Sequence, residues 1–239
     1  HLSDVKKCIA QARERDISVN LYMEDWSNGM RDSKEYVFHM LDGLRAEPVT
    51  RFMLPDTLGI LNPDETAAFF KEITTRYSEL HFDFHAHNDY DLAVANVQEA
   101  IKAGAKGVHV TVNGLGERAG NAPLTSVIAL IHDHMGLTTN VDESRLYDVS
   151  KVVETYSGVR IPNNKPIIGD NVFTQVAGVH ADGDKKKNLY FNNLMPERFG
   201  RFREYALGKN AGRSNITKNL EALGIELDDQ ATRKVTARI

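Results

Sequence analysis

One cysteine, Cys8, and one tryptophan occur in the 239 residues, and no apolar run approaches the roughly 18 residues needed to cross a bilayer. A lone thiol excludes an internal disulfide framework and a cysteine-built zinc cluster, and it fits a reducing compartment, so a cytoplasmic location is expected. The first residues lack the charged-then-apolar pattern of a secretory signal, and a membrane is not an expected partner. Positive charge is not in excess either: 29 Lys and Arg stand against 33 Asp and Glu, for a formal charge of -4. That balance argues against a nucleic-acid footprint, which needs basic residues gathered on one face. Small molecules and protein are the expected partners. A 41% hydrophobic content suffices for one large domain, or for one domain with an appendage.

What is present is periodic. The chain has no initiating Met, and Leu2, Val5, Ile9 and Ala12 fall at helical spacing, which predicts a helix from the first residue onward. Segments rich in β-branched and aromatic residues, 17–24, 51–57, 81–87 and 107–113, predict four strands recurring about every 30 residues, the length of a βαβ unit. Helical patterns fill the gaps at 32–44, 62–77 and 92–103. The second of these carries Pro63 in its first turn with Asp64 and Glu65 near the positive end of its dipole. Alternation of this kind predicts an α/β fold with a parallel sheet. A closed (β/α)8 TIM barrel needs eight strands in about 250 residues, so four strands correspond to half of one. Helices are expected at 124–134 and 142–156. A Gly- and Asn-punctuated stretch follows at 159–201, and then a helical segment at 208–239 broken near Gly224. The expected divisions are a half-barrel over 1–144, a linking subdomain over 145–200 and a small helical subdomain over 201–239.

The string His85-Ala86-His87-Asn88-Asp89 is the most informative. Residues two apart on a strand share a face, so both imidazoles aim to one side at the C-terminal strand end, where βα barrels build their sites. Two converging imidazoles make half of a divalent metal site; the same spacing also suits an ordinary pair of surface histidines. The string Asn113-Gly-Leu-Gly-Glu-Arg-Ala-Gly-Asn121 contains Gly114-x-Gly116-x-x-Ala119, a superficial match to a dinucleotide fingerprint. No further strand completes the unit after the following helix, so that reading is set aside. The loop instead is expected to return over the barrel mouth and present Asn121 and Glu117 toward the histidines, the amide oxygen serving as a hard third ligand.

These strings, with Glu24-Asp25, Pro55-Asp56-Thr57 and Gly178-Val-His-Ala-Asp-Gly183, resemble the isopropylmalate, homocitrate and citramalate synthase family over nearly the whole chain. The resemblance implies an acyltransferase that joins acetyl-CoA to a small 2-oxo acid by metal-dependent Claisen condensation, with thioester hydrolysis. It implies the C-terminal half of the barrel followed by an accessory region. His85, His87 and Asn121 match the family's metal ligands, for Zn, Mn or Mg, while its ligating aspartate and neighbouring arginine have no counterpart here. Thr57 matches the hydroxyl that holds the oxo-acid carboxylate, although a turn cap is an equally simple use of it. Glu24 matches an active-site carboxylate, and His180 and Asp182 are candidates for the base machinery with it. Asn188, Leu189 and Tyr190 border the acetyl-CoA site by the same resemblance, and the segment carrying them implies a homodimer with composite active sites. The lysines at 185–187 either meet CoA phosphates or form a solvated loop.

By alternation Tyr22 shares a face with Glu24 and becomes a candidate wall of the acyl pocket. A phenol there favours the methyl of pyruvate over the isopropyl of 2-oxoisovalerate, and Tyr22-Met-Glu-Asp-Trp-Ser-Asn-Gly29 resembles the citramalate synthases in particular. Isopropylmalate synthase chemistry is the first alternative. A non-catalytic fragment and a nucleotide-dependent oxidoreductase are readings from other classes.

Overall fold

The computed structural model describes residues 1–175, 183, 192–208 and 212–238. They fall into two units, His1–Thr139 and Asn140–Ile239. In the first, α1 (Leu2–Arg13) precedes four strands, β1 (Val19–Tyr22), β2 (Val49–Asp56), β3 (Phe82–Ala86) and β4 (Gly107–His109). All pair in parallel, in the order β1-β2-β3-β4. The helices α2 (Trp26–Asp32), α3 (Lys34–Leu44), α4 (Pro63–Arg76), α5 (Ala93–Lys102) and α6 (Leu124–Met135) alternate with them. Sequential parallel strands with helical crossovers form part of a (β/α)8 barrel, as the strand period predicts.

Alternation sorts the strand side chains. Phe52, Leu54, Phe82, Phe84 and Ala86 are buried with Trp26, Leu41, Phe70, Tyr77, Val97 and Val127 in one core. The rings of Phe70 and Phe84 meet edge to face at 5.1 Å between centroids, and those of Trp26 and Phe70 at 5.2 Å. Each fully buried ring of this size contributes about 1.5–3 kcal/mol. The intervening residues form the other face of the sheet. There the register sets Tyr22 against Met53, Met53 against Asp83, Asp83 against Gly107, and both Pro55 and His109 against His85. The outer residues therefore hold the helices, and the inner ones are left for chemistry.

Local signals end the elements. Asn62 caps α4 by accepting from the Glu65 amide at 2.9 Å, while Glu65 accepts from the Asn62 amide at 3.1 Å, a reciprocal capping box with Pro63 in the first turn. Two expectations differ from the structure. The fourth strand stops at His109, because the Asn113 backbone turns left-handed (φ 62°) within a 3-10 turn at Val112–Gly114. A separate helix, α2, also precedes the expected 32–44 helix; its Trp26 and Met30 are buried in the core.

In the second unit a 3-10 turn (Glu143–Arg145) leads into α7 (Leu146–Ser157). Two-residue strands β5 (Thr174–Gln175) and β6 (Glu204–Tyr205) pair in parallel. Helices α8 (Arg213–Ala222) and α9 (Asp229–Thr236) follow, separated at Gly224 (φ 68°), where a break is expected. Arg198 grips the Glu143 carboxylate through Nε and Nη2 at 2.6 and 2.7 Å. No described helix is long and apolar enough to cross a membrane.

Candidate active site at the strand ends

Strand ends and the loops after them bring the candidate residues of the first unit together. His85 lies on β3 and His87 just beyond it, with ring centroids 5.1 Å apart. His87 bridges antiparallel to Asn121, and the Ala122 amide donates to the Ala86 carbonyl at 3.0 Å, which seats the 113–122 loop against the end of β3. Asn121 Nδ2 donates to the Leu115 carbonyl at 3.3 Å. Its Oδ1, together with Nδ1 of His85 and of His87, is buried without a hydrogen-bond partner. Leaving such groups unmet costs about 1–3 kcal/mol each, so three on one rim fit a site that an additional group completes. The residues present therefore suit a divalent cation held by two imidazoles and one amide oxygen. Among the described residues no group of three or more His, Cys, Asp or Glu is gathered for a metal.

Burial pushes the His85 imidazole down to about 4, helped by the nearby His87 and His109 and opposed by Glu24. The neutral ring, the form that ligates cations, is thereby favoured near neutral pH.

Thr57 is fully engaged. Its hydroxyl donates to Glu24 Oε1 at 2.9 Å and accepts from the Asp25 amide at 3.0 Å, linking the ends of β1 and β2. The loop expectation needs one correction: the Glu117 side chain is 84% exposed, and its charge meets Arg118 at 3.5 Å instead of turning to the histidines. Its neighbour Arg118 is the residue the sequence reading overlooked. The guanidinium holds Asp89 through two hydrogen bonds at 2.8 and 3.0 Å and donates to the Thr57 carbonyl at 2.7 Å, lashing three loops together. That hydrogen bonding keeps the Asp89 carboxyl below its ordinary range. The signal was the arginine inside the loop string itself. His109 was also overlooked; its ring lies 5.7 Å from that of His85, and its Nδ1 is 2.9 Å from the Tyr22 hydroxyl. Tyr22 is accordingly on the same face as His85, with centroids 6.2 Å apart. Burial and the charges of Asp83 and Glu24 raise its phenol above the ordinary range.

His180, Asp182, Asn188, Leu189 and Tyr190 lie outside the described residues.

Fold and site together define a βα-barrel protein with imidazole and amide groups on its strand-end rim. The chain belongs to the HMGL-like family, whose profile matches residues 1–153, and a homocitrate synthase post-HMGL domain-like profile matches residues 167–239. A Methanopyrus kandleri protein that carries the name of an (R)-citramalate synthase is 36% identical over all of this chain and 46% of its own length. The homocitrate synthase of Sulfolobus acidocaldarius is 37% identical over 100% of this chain and 50% of its own length. The chain thus spans about half the length of the curated relatives it matches. The Bacillus subtilis HMG-CoA lyase shares the fold with a TM-score of 0.60 at 22% identity, over 67% of this chain and 57% of that one. The carboxyl transferase domain of Rhizobium etli pyruvate carboxylase does so at 0.57 and 16%, over 79% and 34%.

Proposed function

We infer that this chain is part of a transferase that condenses acetyl-CoA with a 2-oxo acid, with pyruvate as the preferred acceptor. The observation that carries the reading is the set of buried, unpartnered donor atoms on His85, His87 and Asn121, gathered beside Glu24 and Thr57. The two curated relatives, named as citramalate and homocitrate synthases, support the reaction class and leave the acceptor open.

His85, His87 and Asn121 would hold the divalent ion, Zn, Mn or Mg. When bound, such an ion supplies Lewis-acid polarisation of the oxo acid. Thr57 Oγ1, now engaged with Glu24, would turn to the acceptor carboxylate, freeing Glu24 as the active-site carboxylate. Tyr22 walls the acyl pocket and disfavours branched acceptors. His180 and Asp182 as base machinery, Asn188, Leu189 and Tyr190 at acetyl-CoA, and a homodimer with composite sites belong to the proposal on the family resemblance.

A second reading takes a dicarboxylic acceptor, as the homocitrate synthase relatives allow. Arg51 places a guanidinium on the inner face, though 3.3 Å from Asp83 and so already paired. The test is thiol release from acetyl-CoA by the metal-loaded full-length protein with pyruvate, 2-oxoisovalerate and 2-oxoglutarate in turn. A higher kcat/KM with pyruvate, and a narrower gap to 2-oxoisovalerate in Tyr22→Ser, are expected. Preference for the branched acid refutes the pocket, and preference for 2-oxoglutarate selects the second reading. No thiol release with any of them refutes the reaction.

A further inference from the structure

A buried carboxylate lies one step below the histidines on the inner face. Asp83 is 1% exposed, and three nitrogen groups converge on it: His81 Nε2 at 2.7 Å, Arg51 Nη1 at 3.3 Å and His109 Nε2 at 3.4 Å. Gly107, its register partner on β4, leaves the room for this; a Cβ there would overlap the Asp83 carboxylate. The opposite edge of the His109 ring offers Nδ1 to the Tyr22 hydroxyl at 2.9 Å. With a carboxylate facing Nε2, the proton of a neutral imidazole belongs on Nε2, which leaves Nδ1 to accept from the phenol. Carboxylate, imidazole and phenol thus form a row across β3, β4 and β1.

Tyr22 needs such a hold. The residue is 49% exposed, and a phenol so open would change rotamer freely without a partner at its tip. The row instead sets the ring edgewise to His85. We propose that Asp83 and His109 are positioning residues that fix the Tyr22 ring beside the candidate metal ligands and so determine the size of the 2-oxo acid accepted. The inference rests on the condensation reading above and extends it to two residues behind the Tyr22 ring.

The experiment compares kcat/KM for pyruvate and for 2-oxoisovalerate in the metal-loaded full-length protein, in His109→Leu and in His109→Asn. Asn can present its amide oxygen near the place of Nδ1 and keep the phenol bonded, whereas Leu cannot. His109→Leu is expected to lower the preference for pyruvate by roughly tenfold, within the discrimination one methylene provides, and mainly through KM. His109→Asn is expected to retain most of it. Nitrogen NMR of the wild-type chain reads the row independently of turnover and should show His109 protonated on Nε2. An unchanged preference in the Leu variant, equal loss in both variants, or a His109 Nδ1 signal without a hydrogen bond overturns the positioning role. A wild type inactive with every 2-oxo acid overturns the reaction reading and the selectivity role together. An active wild type with an unmoved preference overturns the positioning alone.

Discussion

Replacing Gly120 with alanine should open the loop that carries Asn121, and the cost follows from the local geometry. Gly120 has φ of +82°, and a Cβ there would overlap the backbone oxygen of Gly114, which cannot swing aside as a side chain would. Holding an L residue in left-handed backbone costs about 1 kcal/mol. Relieving the overlap separates the loop strands, at the expense of the bonds from the Asn121 amide to Gly114 O (3.1 Å) and from the Asn88 amide to Gly120 O (2.9 Å). At about 1 kcal/mol each these bring the loss to about 3 kcal/mol. A loss of that size lowers Tm by roughly 6–12 °C in a chain of this size. Because Asn121 shifts with the loop, affinity for zinc or manganese should fall by about 10–100-fold, the range typical when the support of a ligand is disturbed. Gly136→Ala is the control: φ is +63° but nothing lies within 4 Å, so only the backbone cost of about 1 kcal/mol applies and metal affinity should be untouched. Thermal melts and calorimetric metal titration of the two variants provide the comparison. Equal Tm losses, or wild-type metal affinity in Gly120→Ala, would refute the reasoning.

Three further outcomes are expected. His85 has a folded-state value of about 4, below its ordinary 6.5, so between these pH values the unfolded chain binds the extra proton and stability falls as pH drops. The contribution is about 3 kcal/mol, so urea melts at pH 7 and pH 4.5 should show a smaller difference in metal-free His85→Asn than in the wild type. Phe84→Ala empties the centre of the core between sheet and helices and should cost about 3–5 kcal/mol by denaturant unfolding, with a wild-type fold by circular dichroism. Asn62→Ala removes the α4 capping box and should cost about 0.5–2 kcal/mol by denaturant unfolding.

The division between what was legible early and what was not follows the range of the forces involved. The strand and helix pattern, the Pro63 first turn of α4, the break at Gly224 and the shared face of His85 and His87 are all written in neighbouring residues, because backbone alternation and helix-start preferences act within a few positions. Amino-acid order also determined that Gly114, Gly116 and Gly120 would permit a tight loop. It did not show where strand 107–113 would yield to a 3-10 turn, since Asn113 enters left-handed backbone only in the company of that loop. Nor did it show Arg118 reaching across to Asp89 and Thr57, or Asp83, His109 and Tyr22 aligning across three strands. Those partners lie 26 to 87 positions apart and meet only because parallel pairing sets the register of one strand against the next. Side-chain type prepared the chemistry; the lateral offset between strands, which no local pattern encodes, decided which groups became neighbours.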